Sequence, residues 1–176
     1  MKTSIQNDLT KKYSKGIIAI HWLTTLLIVI LFPLGKYMED IEPEEKMNLI
    51  KIHALLGIVV LVITLARCWI YFKAVRPAHL KTGSAFNDKL AIWTHNLFYF
   101  LLLEITVSGI GIMISGGYYE ALQQGTANAI KAPNEITPLK GHGIMATILM
   151  LLFVIHVIGV IKHYIVTKEN TLKRII

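Results

Sequence analysis

Residues 144–161 read IMATILMLLFVIHVIGVI, eighteen positions with one histidine, His156, and no other ionisable side chain. A run this apolar on every side has no polar face to offer water, as an amphipathic helix of a soluble bundle would. About 20 such residues, each rising 1.5 Å, cross the roughly 30 Å hydrocarbon layer of a bilayer. Extended to its polar flanks, the run predicts a membrane span over residues 139–166. Three more segments have the same character: 17–34, closed by Pro33 and Gly35; 49–72; and 90–115, which carries Glu104 near its middle. The expected fold class is therefore all-α, a four-helix transmembrane bundle. Residues 1–176 would form one membrane domain, with polar loops between the spans.

Composition agrees. Hydrophobic residues make up 54% of the 176 positions and charged residues 16%, against about 25% charged in soluble domains. A single cysteine, Cys68, excludes an internal disulfide, a CxxC metal knuckle and a CxxCH attachment site. The polar start, residues 1–16, does not read as a cleavable signal. The net charge of +7 would suit an anionic partner, but its placement says otherwise. Lys2, Lys11, Lys12 and Lys15 precede the first span; Lys73, Arg76, Lys81 and Lys89 lie between the second and third; Lys162, Lys168, Lys173 and Arg174 end the chain. Those segments hold only Asp8, Asp88 and Glu169 as acids, whereas the other two loops hold Glu39, Asp40, Glu42, Glu44, Glu45, Glu120 and Glu135. Basic loops stay on the cytoplasmic side, so both termini are expected there, and no nucleic-acid partner is needed.

Ionisable groups inside a bilayer are costly and mark function. Four of the seven histidines fall within or at the rim of a span: His21, His53, His142 and His156. His142 and His156 are fourteen residues apart, just under four helical turns. They share a face about 21 Å apart along the axis. Depth then matches His142 with His53 toward the outside, and His156 with His21 toward the cytoplasm. Two stacked bis-histidine sites suit b-type haem, a flat apolar ring held by imidazoles. Ala54, Gly57, Gly141, Gly143 and Gly159 supply small side chains nearby, though small residues also serve ordinary helix packing. Isolated polar residues and a histidine-lined metal transporter remain open on these residues alone. A zinc site, however, normally gathers three or four ligands at one level.

Together, KKYSKGIIAIHW (residues 11–22), Arg67, WTHNLFYFLL (93–102) and HVIGVIKHYIVTKENTLKR (156–174) resemble the bacterial cytochrome b561 family, which is related to the b-type cytochrome subunits of nickel–iron hydrogenases. The resemblance implies a multi-pass protein of the bacterial inner membrane carrying two haem b groups. Their iron would be held by His21, His53, His142 and His156. It also implies electron exchange with ubiquinone or another membrane quinone. The leading activity is that of a superoxide:quinone oxidoreductase, with superoxide as donor at the outer face. The alternative is a haem-bearing anchor that relays electrons between a partner dehydrogenase or hydrogenase subunit and quinone. Where the family has a second arginine after Arg67 this chain has Tyr71, and where it often has a proline before Ser108-Gly109 this chain has Thr106.

Other residues have candidate roles. Arg67 could neutralise a haem propionate or reach a lipid phosphate. His95, His163, Lys162 and Tyr164 could form a quinone site near the inner haem, since quinone reduction consumes protons and histidine titrates in the useful range; interfacial anchoring is the bland reading. Trp22 could pack on a ring or anchor at the interface. Lys46, Lys51, Lys131 and Lys140 could guide an anion to the outer site, opposed by the acidic run in residues 39–45. Glu104 matches no family position and reads as a proton relay or a contact to a partner helix. His79 reads as solvated and Cys68 as packing.

Overall fold

The computed structural model describes residues 12–73 and 84–176; Lys2, Asp8, Lys11, Arg76, His79 and Lys81 lie outside the described residues. Four long helices carry the fold: α1 Lys15–Tyr37, α2 Pro43–Lys73, α3 Ala85–Ser115 and α5 Thr137–Thr167, with a short helix α4, Tyr118–Gln124, before the last. All four are long and apolar enough to cross a membrane. Their outward side chains are apolar: Leu26, Leu55, Val62, Phe100, Val107, Leu151 and Ile155 are each 55–63% exposed. That surface would be untenable in water over such an area, and hydrocarbon accepts it.

Local signals set the helix ends. Ser14 and Ser84 cap α1 and α3 by accepting from the backbone N–H groups of Ile17 and Asn87. Pro43 opens α2, and Glu44 and Glu45 in its first turn complement the helix dipole. Two expectations are corrected. Pro33 does not close the first span; α1 runs through it to Tyr37. Proline removes one N–H and frees the carbonyl four residues back, which a membrane helix tolerates when its neighbours absorb the distortion. The connection before the last span is not a plain polar loop either. It holds α4 and two 3-10 turns, Ala127–Ala129 and Pro133–Glu135. Tyr118, Ala121, Ala127 and Ile136 are buried there, so it forms a folded cap over one end of the bundle. With Thr106 in place of proline, α3 is helical from end to end.

α3 packs closely on α5 and on α2, and α2 on α1, while α1 and α5 touch more sparsely. The helices thus form a ring whose loosest seam lies between α1 and α5. Leu27, Val60, Leu101, Leu102 and Leu149, drawn from all four long helices, make the central apolar layer. The buried threonines Thr24, Thr64 and Thr106 donate their hydroxyls to carbonyls four residues back, at 2.6, 2.7 and 2.8 Å. Each polar group is satisfied within its own helix. At the other end, the two termini join: the Tyr13 N–H donates to the Arg174 carbonyl at 3.1 Å, and buried Arg174 lies over the Tyr13 ring. Both described ends of the chain therefore sit at one end of the bundle, and the α4 cap follows the opposite end of α3.

Candidate functional site

The histidines divide between the two ends, with the leucine layer between them. At the capped end, His53 of α2 and His142 of α5 face each other across the bundle with ring centroids 6.2 Å apart. Two imidazoles that each place a nitrogen about 2 Å from one metal would have centroids roughly 6 Å apart. The His142 ring is also oriented. Ser108 Oγ donates its proton to the Ile105 carbonyl at 2.9 Å and lies 3.1 Å from His142 Nδ1. With the hydroxyl proton already committed, Nδ1–H is the donor in that second contact, which leaves the lone pair on Nε2. His53 Nδ1 is buried and has no hydrogen-bond partner among the described residues.

Both rings border a cavity of about 1130 Å³ lined by all four long helices and the α4 cap. Small-molecule pockets run to about 300–1,000 Å³, so this one has room for a macrocycle. Ile28, Leu31 and Phe32 of α1 and Ala146 and Leu149 of α5 give it apolar walls. Of the small residues singled out in the sequence, Ala54, Gly57 and Gly143 line it, and so do Gly35 and Gly109. A methyl group added at Gly109 would come within 3.3 Å of the His142 ring, so a side chain there would make the ring give by a few tenths of an ångström. Tyr118 of the cap also borders the cavity. Burial pushes its hydroxyl above the usual tyrosine range, which keeps it a neutral hydrogen-bond donor.

The opposite end differs from the expected simple pair. His156 packs edge-on against His95 at 5.4 Å and against Phe98 at 5.6 Å. His21 is within electrostatic reach of Arg67, His156 and His95. Three histidines and an arginine therefore share this level. The His95 Nδ1–H donates to the Ala91 carbonyl at 2.7 Å, which sets its tautomer. Arg67 stacks over Tyr99 at 5.5 Å, with its Nε buried and without a hydrogen-bond partner among the described residues. Tyr71, in the place of a second arginine, packs on Tyr99 at 5.8 Å. Trp22 meets the His21 ring edge-on at 5.5 Å and donates its indole N–H to the Ile175 carbonyl at 2.8 Å. It thereby ties the C-terminal segment beside His21. His163 turns to that segment and meets Glu169 at 3.4 Å, whereas Lys162 and Tyr164 are exposed on α5. Among the described residues no three His, Cys, Asp or Glu side chains are grouped to hold a bare metal ion.

The model of the prokaryotic cytochrome b561 family matches residues 12–176. The chain belongs to the prokaryotic cytochrome b561 family. It is accordingly a b-type, haem-binding cytochrome of a bacterial membrane. It is also similar to a probable superoxide oxidase CybB of Yersinia pestis, 29% identical over 171 residues that cover 93% of this chain and 95% of that one. A cytochrome b562 of Cereibacter sphaeroides is 27% identical over 168 residues, covering 92% and 93%. In a cytochrome b561, an apolar cavity flanked by opposed imidazoles is the chemistry that a haem requires, and the residues present fit it.

Ser108 had no role assigned from the sequence, and His95, read there as part of a quinone site, packs directly on His156. Ser108 was legible only as half of a Ser-Gly pair, because its contact to His142 joins helices 34 residues apart in sequence.

Proposed function

We propose that the chain is a di-haem cytochrome that oxidises superoxide at the capped, outer face and reduces quinone toward the cytoplasmic end, the whole chain acting as one membrane unit. The observation that carries this reading is the opposed pair His53 and His142 at the wall of a macrocycle-sized apolar cavity, set one leucine layer away from a second histidine level. His53 and His142 would hold one haem and His21 and His156 the other. Haem bound there supplies a one-electron centre whose potential depends on its imidazoles, their hydrogen bonds and their burial. The overall reaction takes one electron from each of two superoxide anions, which leave as dioxygen. The two electrons and two protons convert one quinone to quinol.

The chain's own residues divide the work. Lys36, Lys46 and Lys140 border the outer cavity, but Lys36 is tied to Glu39 at 3.0 Å and Lys46 donates to the Met38 carbonyl. Lys140 is the cation at the rim best placed to attract a small anion. At the inner level, half-buried Arg67 offers its guanidinium to a carboxylate or a quinone oxygen. His95 and His163 supply groups able to pass protons. The basic inner loops support the reading that this end faces the cytoplasm.

The purified chain is expected to carry two low-spin haems and to consume two superoxide anions for each quinol formed. One haem per chain, or none, would overturn the reading. A di-haem chain inert to superoxide, yet reduced by a co-purifying dehydrogenase, would establish the relay role instead.

Removing the Ser108 hydroxyl takes away one of the two acceptors beside the His142 Nδ1–H, leaving the Ile105 carbonyl. Loss of such an outer-shell partner costs about 10–100-fold in affinity. Ser108→Ala is expected to weaken haem retention at the outer site by about that factor. It should also raise that site's midpoint potential, because a less basic imidazole favours the oxidised iron less. Ser108→Thr restores the hydroxyl and should restore both; a haem-retention titration and a redox titration check the pair.

A further inference from the structure

Glu104 lies in the middle of α3, eleven residues before its end at Ser115, roughly 16 Å along the helix. That places it near the centre of a hydrocarbon layer about 30 Å thick. Its neighbours Leu101 and Leu102 belong to the central apolar layer, which fixes the same depth independently. Glu104 nonetheless points out of the bundle and is exposed, on a stripe with Trp93, Leu97, Phe100 and Val107, which are 74%, 41%, 57% and 58% exposed. Positions 93, 97, 100, 104 and 107 alternate steps of four and three, the spacing of a helix–helix seam. Apolar side chains on such a stripe need no explanation in lipid. A carboxyl group does, because hydrocarbon can satisfy neither its lone pairs nor its proton.

We infer that this face of α3 is the interface of a homodimer in which Glu104 pairs with Glu104 of a second copy at the bilayer centre. Two copies inserted with the same topology can be related only by a twofold axis along the membrane normal. A helix lying on that axis meets its own copy in parallel, with identical residues at equal depth. Glu104 then faces Glu104, and a carboxyl group is self-complementary, because with a proton between them one oxygen donates and the other accepts. A second copy thus supplies the missing partner without any other chain. Polar side chains that hydrogen-bond across helices are established glue in membrane bundles.

Single-molecule photobleaching of the labelled holoprotein in phosphatidylethanolamine–phosphatidylglycerol vesicles reads the stoichiometry at low protein density. Wild type is expected as a dimer. Glu104→Leu should weaken dimerisation at least tenfold, about 1.4 kcal/mol, whereas Glu104→Gln, itself self-complementary, should retain it. In a Cys68→Ala background, oxidation should link Val107→Cys chains to each other but not Leu151→Cys chains, which present the exposed face of α5. An unchanged visible spectrum in each variant shows that the fold is intact. A wild-type monomer, a dimer indifferent to Glu104→Leu, linkage through Leu151→Cys, or a different chain captured at Val107→Cys would each overturn the proposal.

Discussion

A His53→Ala chain and a His142→Ala chain are each expected to purify with half the haem of the parent, and the double variant with no less than either single one. The two rings stand 6.2 Å apart, across the cavity from different helices. An iron that loses one of two axial imidazoles loses its low-spin state and much of its affinity. The second site lies on the far side of the leucine layer and should keep its spectrum. The electron path is broken at the outer end, so superoxide-driven quinol formation should fall below about one-hundredth of wild type, nearly 3 kcal/mol of barrier. His21→Ala and His156→Ala should remove the other half of the haem. Haem per chain and the reduced-minus-oxidised difference spectrum check all four. If His53→Ala and His142→Ala removed different haems, the pairing would be wrong. If His95→Ala removed the inner haem while His21→Ala spared it, the inner ligand would be His95.

The second large effect concerns the cap. Gly117 joins α3 to α4 with φ +76°, a conformation that costs a residue with a side chain about 1–2 kcal/mol. A methyl group there would also drive into the Ala129 carbonyl, which is backbone and cannot swing away. The same turn is pinned by the Lys131 N–H donating to the Gly116 carbonyl at 3.0 Å. Gly117→Ala must therefore open the connection between Gly116 and Lys131 and unseat Tyr118, which borders the outer cavity. We expect a loss of about 2–4 kcal/mol, combining the φ cost with overpacking. It should appear as a lower thermal midpoint in detergent and as faster escape of the outer haem, while the inner haem is unaffected. Gly125→Ala is the control. Gly125 has a similar φ of +70° but open space around it, so only the smaller conformational cost should appear.

Membrane class, helix number and the histidine stripe on α5 were legible in the chain because each is a local property. Hydrophobicity is written residue by residue, and the 3.6-residue period fixes which side chains share a face of a helix. The proline at 33 misled for a related reason. Its local preference is to end a helix, but in lipid an interrupted backbone is costlier than a distorted one, and α1 continues. What could not be read locally depends on how helices meet. Ser108 and His142 are brought together by α3 packing on α5, and His95 reaches His156 through the same contact. The cavity is lined by side chains of all four long helices, and Glu104 is turned outward by the rotation of α3 within the ring. None of these follows from spacing along one helix, because helix rotation and helix order are set by close packing among all four.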